Sequence, residues 1–246
     1  MANSGRFGLS GAFTLNQDVR NSTALKVGDL PHRYRWVSAI EVVFGTFLVV
    51  GHNIFKIVPN EVFPLFALFC ISFKLRDGGW GIAGLAQPRS WGRTVSIAVV
   101  AAIVLQTGSE LVIQPLAHWL FHAPERVSSL LHAGMNGRQA LTNVAIVWTF
   151  AAFGEELGYR GYLLTRAADI GSRSNVAYFV AMLYVAVLFG FGHYYKGPSG
   201  VLDSAYSGLV LGGLYLLAGR NLWAPILAHG ISDTFTIAVI YMGWAS

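Results

Sequence analysis

A chain of 246 residues that is 54% hydrophobic, only 12% charged and carries 28 glycines is too apolar and too poor in charge for an ordinary soluble domain. Its 17 Lys and Arg exceed its 12 Asp and Glu, yet there is no basic run and no basic patch interleaved with aromatics. Nucleic acid is therefore set aside as a partner, and the excess is read as membrane orientation. The lone cysteine, Cys70, lies in an apolar stretch, which leaves neither an intrachain disulfide nor a CxxC site.

Residues 1–34 are polar and rich in Gly, Ser and Asn, with no apolar core or small-residue cleavage site, and read as a flexible tail rather than a signal peptide. A spanning helix needs about 20 mostly apolar residues. By that rule candidate spans lie near 36–58, 59–75, 94–120, 139–165, 175–195, 199–219 and 222–244. The second is short and interrupted by Pro64, so it is expected to be tilted or re-entrant. The third carries Gln106, Glu110 and Gln114, so part of it is expected to face the protein interior or to leave the membrane. Glu41 and His52 in the first span read as interior polar residues, and His118 and His122 as part of an exposed amphipathic turn. The predicted fold class is all-α: a polytopic membrane helix bundle of about seven transmembrane helices, with a catalytic core formed by the last four. The expected division is a cytoplasmic tail over 1–34, N-terminal helices over 35–138, and the core over 139–246.

Twelve of the Lys and Arg residues fall on one set of alternate connections and four on the other, with Arg160 left aside as part of a motif. The positive-inside rule then predicts a multi-pass protein with a cytoplasmic N-terminus.

Ionisable side chains within spanning helices cost on the order of 2.5–3.5 kcal/mol each near the centre and mark functional sites by default. The second half of the chain has three such places: Glu155-Glu156-x-x-x-Arg160, Phe189-x-x-x-His193 and His229-x-x-x-Asp233. Each contains a pair four residues apart, which shares a helix face, so three helices can each turn a polar group to one interior cavity. The midpoint between Glu155 and His193 falls at residue 174, inside the polar turn "GSRSN", and a hairpin closed there brings the two level. His229 fits this level less well, lying about two turns into its span. Phe189 reads as packing, and Gly190, Gly192, Gly208, Gly212 and Gly213 as points of close helix contact.

EExxxR, FxxxH and HxxxN/D, in this order on successive apolar helices, resemble the CAAX protease and bacteriocin-processing family, intramembrane glutamic endopeptidases that include the type II CAAX prenyl endopeptidases. The resemblance covers roughly residues 139–240. It implies that Glu155 is the general base, that His193 holds the attacking water, and that His229 and the residue four later stabilise the oxyanion. A carboxylate taken out of water beside a second carboxylate is also the better base on physical grounds. Glu156, one turn before Arg160, reads as an ion-pair partner that orients its neighbour. The sequence departs from the Asn form of the third motif: Asp233 donates no hydrogen bond when ionised, so orientation of His229 is its expected role. The implied substrate is a membrane-associated peptide, either a prenylated protein or a leader peptide. The membrane lipid is the other expected partner, and the cell (inner) membrane of a bacterium the expected location.

No cofactor is expected. Zinc on Glu155, His193 and His229 stays an alternative, since three such ligands plus water make a hydrolytic site, although there is no HExxH helix. A proton-coupled transporter, built on the same intramembrane Glu, His and Arg, and a non-catalytic membrane scaffold or immunity protein are the alternative functions.

Overall fold

The computed structural model describes residues 35–122 and 135–244. The tail expected over 1–34, and Arg126 of the orientation count, lie outside these residues. The described residues form seven helical rods and no strand. They are α1 (Arg35–Asn53), α2 (Val62–Arg76), α3 (Trp91–Phe121), α4 (residues 137–170), α5 (Asn175–Phe191), α6 (Gly197–Leu217) and α7 (Trp223–Tyr241). Each of the seven apolar segments read in the sequence falls on one rod. Four helices, Arg35–Asn53, Trp91–Phe121, Tyr194–Leu217 and Trp223–Tyr241, are long and apolar enough to cross a membrane.

The distribution of side chains is that of a membrane bundle. Large apolar groups such as Phe44, Phe47, Val100, Val180 and Leu217 are exposed, while Glu156, Arg160, Arg166 and Asp169 are buried. Hydrocarbon can solvate the first set and not the second.

Local sequence explains most of the breaks. Pro64 sits in the first turn of α2, where its missing N–H costs no helical bond, so it begins that helix rather than interrupting it as expected. At 15 residues α2 rises about 22 Å, less than the ~30 Å of a bilayer core. In α3 the winding changes to i→i+5 bonding over Ser109–Ile113, just ahead of Pro115, which removes a donor from the ladder. Gln106 of α3 donates to Ser232 and Thr236 of α7, so this span does turn a polar face inward. His118 and His122 are exposed. The capping box of Asn136 and Gln139 starts α4, and the turn after it closes at Gly171–Ser174, where the hairpin arithmetic places it.

The packing order follows the small residues. α5 lies against α6 where Gly208 and Gly190 let the backbones meet: a Cβ on Gly208 would stand 2.8 Å from Ala186 Cα, and one on Gly190 2.6 Å from the Val201 carbonyl oxygen. Gly213, expected to be a contact glycine, has nothing within 4 Å of such a Cβ. α2 and α7 both lie along α4, and α3 along α7.

A second polar cluster closes the far end of α4. Arg166, 1% exposed as a side chain, meets Asp77 Oδ2 at 2.6 Å and Asp169 Oδ2 at 3.0 Å. Glu41 pairs with Arg76, and Arg173 with Asp77 and Asp169. Three acids and three arginines cancel in charge, the condition under which ionic groups stay in a low-dielectric interior. Glu41 is therefore an interior ion-pair residue. His52 pairs with Glu61 at 3.3 Å and contacts the Val58 carbonyl oxygen at 2.8 Å.

Candidate active site

The polar half of the site is displayed by α4, whose stretch Val147–Leu164 winds with i→i+5 hydrogen bonds, a rare geometry found mostly at functional positions. Its residues 156 to 164 are all buried. Glu156 and Arg160 form a salt bridge of 2.8 Å with neither side chain exposed, the pairing expected from their spacing. Arg160 continues inward: its Nη2 donates to the Gly208 carbonyl oxygen of α6 at 3.4 Å, and its guanidinium lies 4.4 Å from the centre of the Phe189 ring.

Phe189 is the hub of the site. Tyr159 meets it edge-on at 5.0 Å, His193 lies tilted against it at 4.7 Å, and His229 is edge-on at 6.3 Å. The ring is packing, as its sequence context suggests, and it is packing that brings residues of all three motifs around one centre. It also resolves the difference in level between the histidines. α5 ends at Phe191, and His193 folds back so that its Nδ1 lies 2.9 Å from the Phe189 carbonyl oxygen. Phe189 thus meets both rings, His193 at 4.7 Å and His229 at 6.3 Å.

The third motif reaches α4 directly. His229 Nδ1 lies 2.9 Å from Glu156 Oε1 and its Nε2 3.5 Å from Asp233 Oδ2. A carboxylate faces each ring nitrogen, so either the imidazole carries two protons or one of the acids carries one. Asp233 sits where it can orient the ring. The α7 segment is clamped by Trp148, whose indole covers Gly230 and donates to Thr234 at 3.0 Å.

Glu155 makes no hydrogen bond with any described residue, and its Oε2 is fully buried. It lies within the electrostatic reach of His229, Asp233, Glu156 and Arg160. The expected level pairing with His193 does not take the form of a contact: neither hydrogen-bonds the other. Glu156 Oε2 and Arg160 Nε are also buried without a partner, but those side chains are bonded through their other atoms, whereas a buried carboxylate with no bond at all is exceptional and calls for a role.

These side chains do not form the cage that zinc requires. His229 has Nδ1 on Glu156 and His193 has Nδ1 on a carbonyl, so each histidine keeps its Nε2. Among the described residues no group of three His, Cys, Asp or Glu is placed to hold an ion. The set Glu155, His193 and His229 therefore does not fit a three-ligand zinc site as it stands.

Tyr159 is a residue of the site that the three motifs do not include. It is 2% exposed, and its hydroxyl oxygen would lie 2.6 Å from a Cβ on Gly192, beside His193. Its spacing of four from Glu155 is the signal the sequence offers.

Compared with known proteins, residues 137–235 match the family model of the type II CAAX prenyl endopeptidase Rce1-like proteins, so the resemblance carried by the three motifs is to that family. No curated protein and no solved structure matches this chain. The matched segment contains every residue of the cluster around Phe189.

Proposed function

We propose that this chain hydrolyses a peptide bond of a membrane-associated substrate, a prenylated protein or a leader peptide, with Glu155 as general base. The observation that carries the reading is the meeting of Glu156, Arg160, Phe189, His193 and His229 around one centre, with an unpartnered carboxylate, Glu155, at its edge.

The chemistry follows from what each group has free. With Nδ1 donating to the Phe189 carbonyl, a neutral His193 presents a lone pair at Nε2. Glu155 presents a carboxylate. Two acceptors suit a water that donates one hydrogen to each, held ready for attack on the scissile carbonyl. Glu155 takes the proton as the C–O bond forms and returns it to the amine as the C–N bond breaks, so the carboxylate is regenerated. Glu156 balances Arg160 and fixes His229, and thereby the wall against which the substrate carbonyl lies. The side chains favour this metal-free route over zinc, because among the described residues no three His, Cys, Asp or Glu are placed to hold an ion. An N-terminus in the cytoplasm and a place in the inner membrane of a bacterium belong to the same proposal, on the strength of the Lys and Arg bias.

The test is a comparison of membrane-proteome N-termini between cells carrying the wild type and cells carrying Glu155→Gln or His193→Ala. Termini that disappear with both variants support the proposal. An unchanged set, or substrate uptake by proteoliposomes that depends on Glu155, replaces it with the transporter reading.

A further inference from the structure

Hydrolysis through an oxyanion needs hydrogen-bond donors aimed at the developing charge, and Asp233, which stands where the Asn form of the third motif has an amide, withholds one when ionised. Ionised Asp233, Glu155 and Glu156 donate nothing. His229 is engaged at Nδ1 by Glu156 and faces Asp233 at Nε2. His193 uses its Nδ1 on the Phe189 carbonyl and keeps an acceptor at Nε2. Arg160 gives one hydrogen of Nη1 to Glu156 and one of Nη2 to Gly208, and its side chain is fully buried with the guanidinium over the Phe189 ring. The stem of Lys196 lies along Gly200, and its ammonium is within electrostatic reach of His193 but in none of the ring contacts around Phe189.

A further donor in the buried cluster is the hydroxyl of Tyr159. Its ring is fixed edge-on to Phe189, its oxygen is at Gly192 next to His193, and among the described residues that oxygen has no hydrogen-bond partner. It lies within the electrostatic reach of Glu61, Glu155 and Arg160. The hydroxyl is thus close both to the carboxylate on α4 and to the end of α5 that leads into His193.

We propose that Tyr159 is a catalytic residue of this chain, its phenolic O–H donating a hydrogen bond to the carbonyl oxygen of the scissile peptide as that oxygen becomes an oxyanion. The inference rests on the endopeptidase reading above. It assigns to Tyr159 the donor role that Asp233 cannot fill when ionised.

The experiment uses the full chain in proteoliposomes, a fluorogenic farnesylated CAAX-type peptide as substrate, and a peptide phosphonate of the same sequence as an oxyanion mimic. Tyr159→Phe keeps the ring and removes the donor. It is expected to lower kcat about 10²–10³-fold with KM little changed, and to weaken the phosphonate by the same factor as kcat/KM. A thermal melt equal to that of the wild type separates this from a packing defect. Tyr159→Phe with wild-type kcat and phosphonate affinity overturns the proposal, as does a lowered kcat with unchanged phosphonate affinity, which assigns the hydroxyl to the water instead. Glu155→Gln runs in parallel: if it is inactive while Tyr159→Phe is fully active, the tyrosine alone is refuted. If Glu155→Gln cleaves normally, or the wild type does not cleave, the endopeptidase reading fails and the proposal with it.

Discussion

His229 Nδ1 lies 2.9 Å from Glu156 Oε1, so the histidine of the third motif is bonded across α4 and α7 to the second carboxylate of the first. The same oxygen accepts from Arg160 Nη1 at 2.8 Å. Glu156 is therefore the joint between an ion pair and a histidine, and Glu155 beside it is left free for chemistry.

Breaking that joint should cost stability as well as activity. Removing one partner of a buried pair typically costs about 3–5 kcal/mol, because the other charge is left uncompensated. Glu156→Ala and Arg160→Ala are each expected to lower the melting temperature in detergent strongly. The double variant Glu156→Ala with Arg160→Ala is expected to be destabilised by less than the sum of the singles. Additive losses would show that the two side chains do not depend on one another.

Asp233 faces His229 Nε2 at 3.5 Å, and its expected work is orientation of that ring. Asp233→Asn keeps the shape and removes the charge, and should lower kcat on the order of 10²-fold, in the range of positioned acid–base groups. Full activity of the asparagine variant in the peptide assay would rule out a role that needs a carboxylate.

Gly208 touches no reacting group but supplies the carbonyl on which Arg160 rests, in a contact where a Cβ would stand 2.8 Å from Ala186 Cα. Gly208→Ala should push α5 from α6, destabilise by about 1–3 kcal/mol as overpacking does, and reduce activity through Arg160. The paired readouts are a melt and the peptide assay, and a variant with normal values in both would show that the close contact is dispensable.

Strong chelators are expected to leave hydrolysis unaffected, since among the described residues no three His, Cys, Asp or Glu are placed to hold an ion. Loss of activity on chelation, restored by zinc, would move the site to metal-assisted hydrolysis.

Hydropathy reads lengths, and so the seven apolar segments and the turn at residues 171–174 are legible in the amino-acid sequence. Spacing reads faces, and it identifies Glu156 with Arg160 and His229 with Asp233. Neither reads helix rotation or the fate of a chain beyond a helix end. That is why the direct bond from His229 to Glu156, the fold-back of His193 and the burial of Tyr159 lie out of its reach. The network of Glu41, Arg76, Asp77, Arg166, Asp169 and Arg173 is hidden for the same reason: Glu41 and Arg166 are far apart in sequence and meet only because α1 packs on the end of α4. Phe189 differs from its expected part in weight rather than in kind, because an apolar ring has no sequence mark that distinguishes a hub from a filler.

The most direct measurement is single-turnover cleavage of a quenched, farnesylated peptide by the purified chain in proteoliposomes, comparing wild type with Glu155→Gln at equal folded amounts. A general base in this position predicts that Glu155→Gln loses about 10²–10⁴-fold in rate while its melting temperature stays near that of the wild type. Cleavage by Glu155→Gln at the wild-type rate would contradict it.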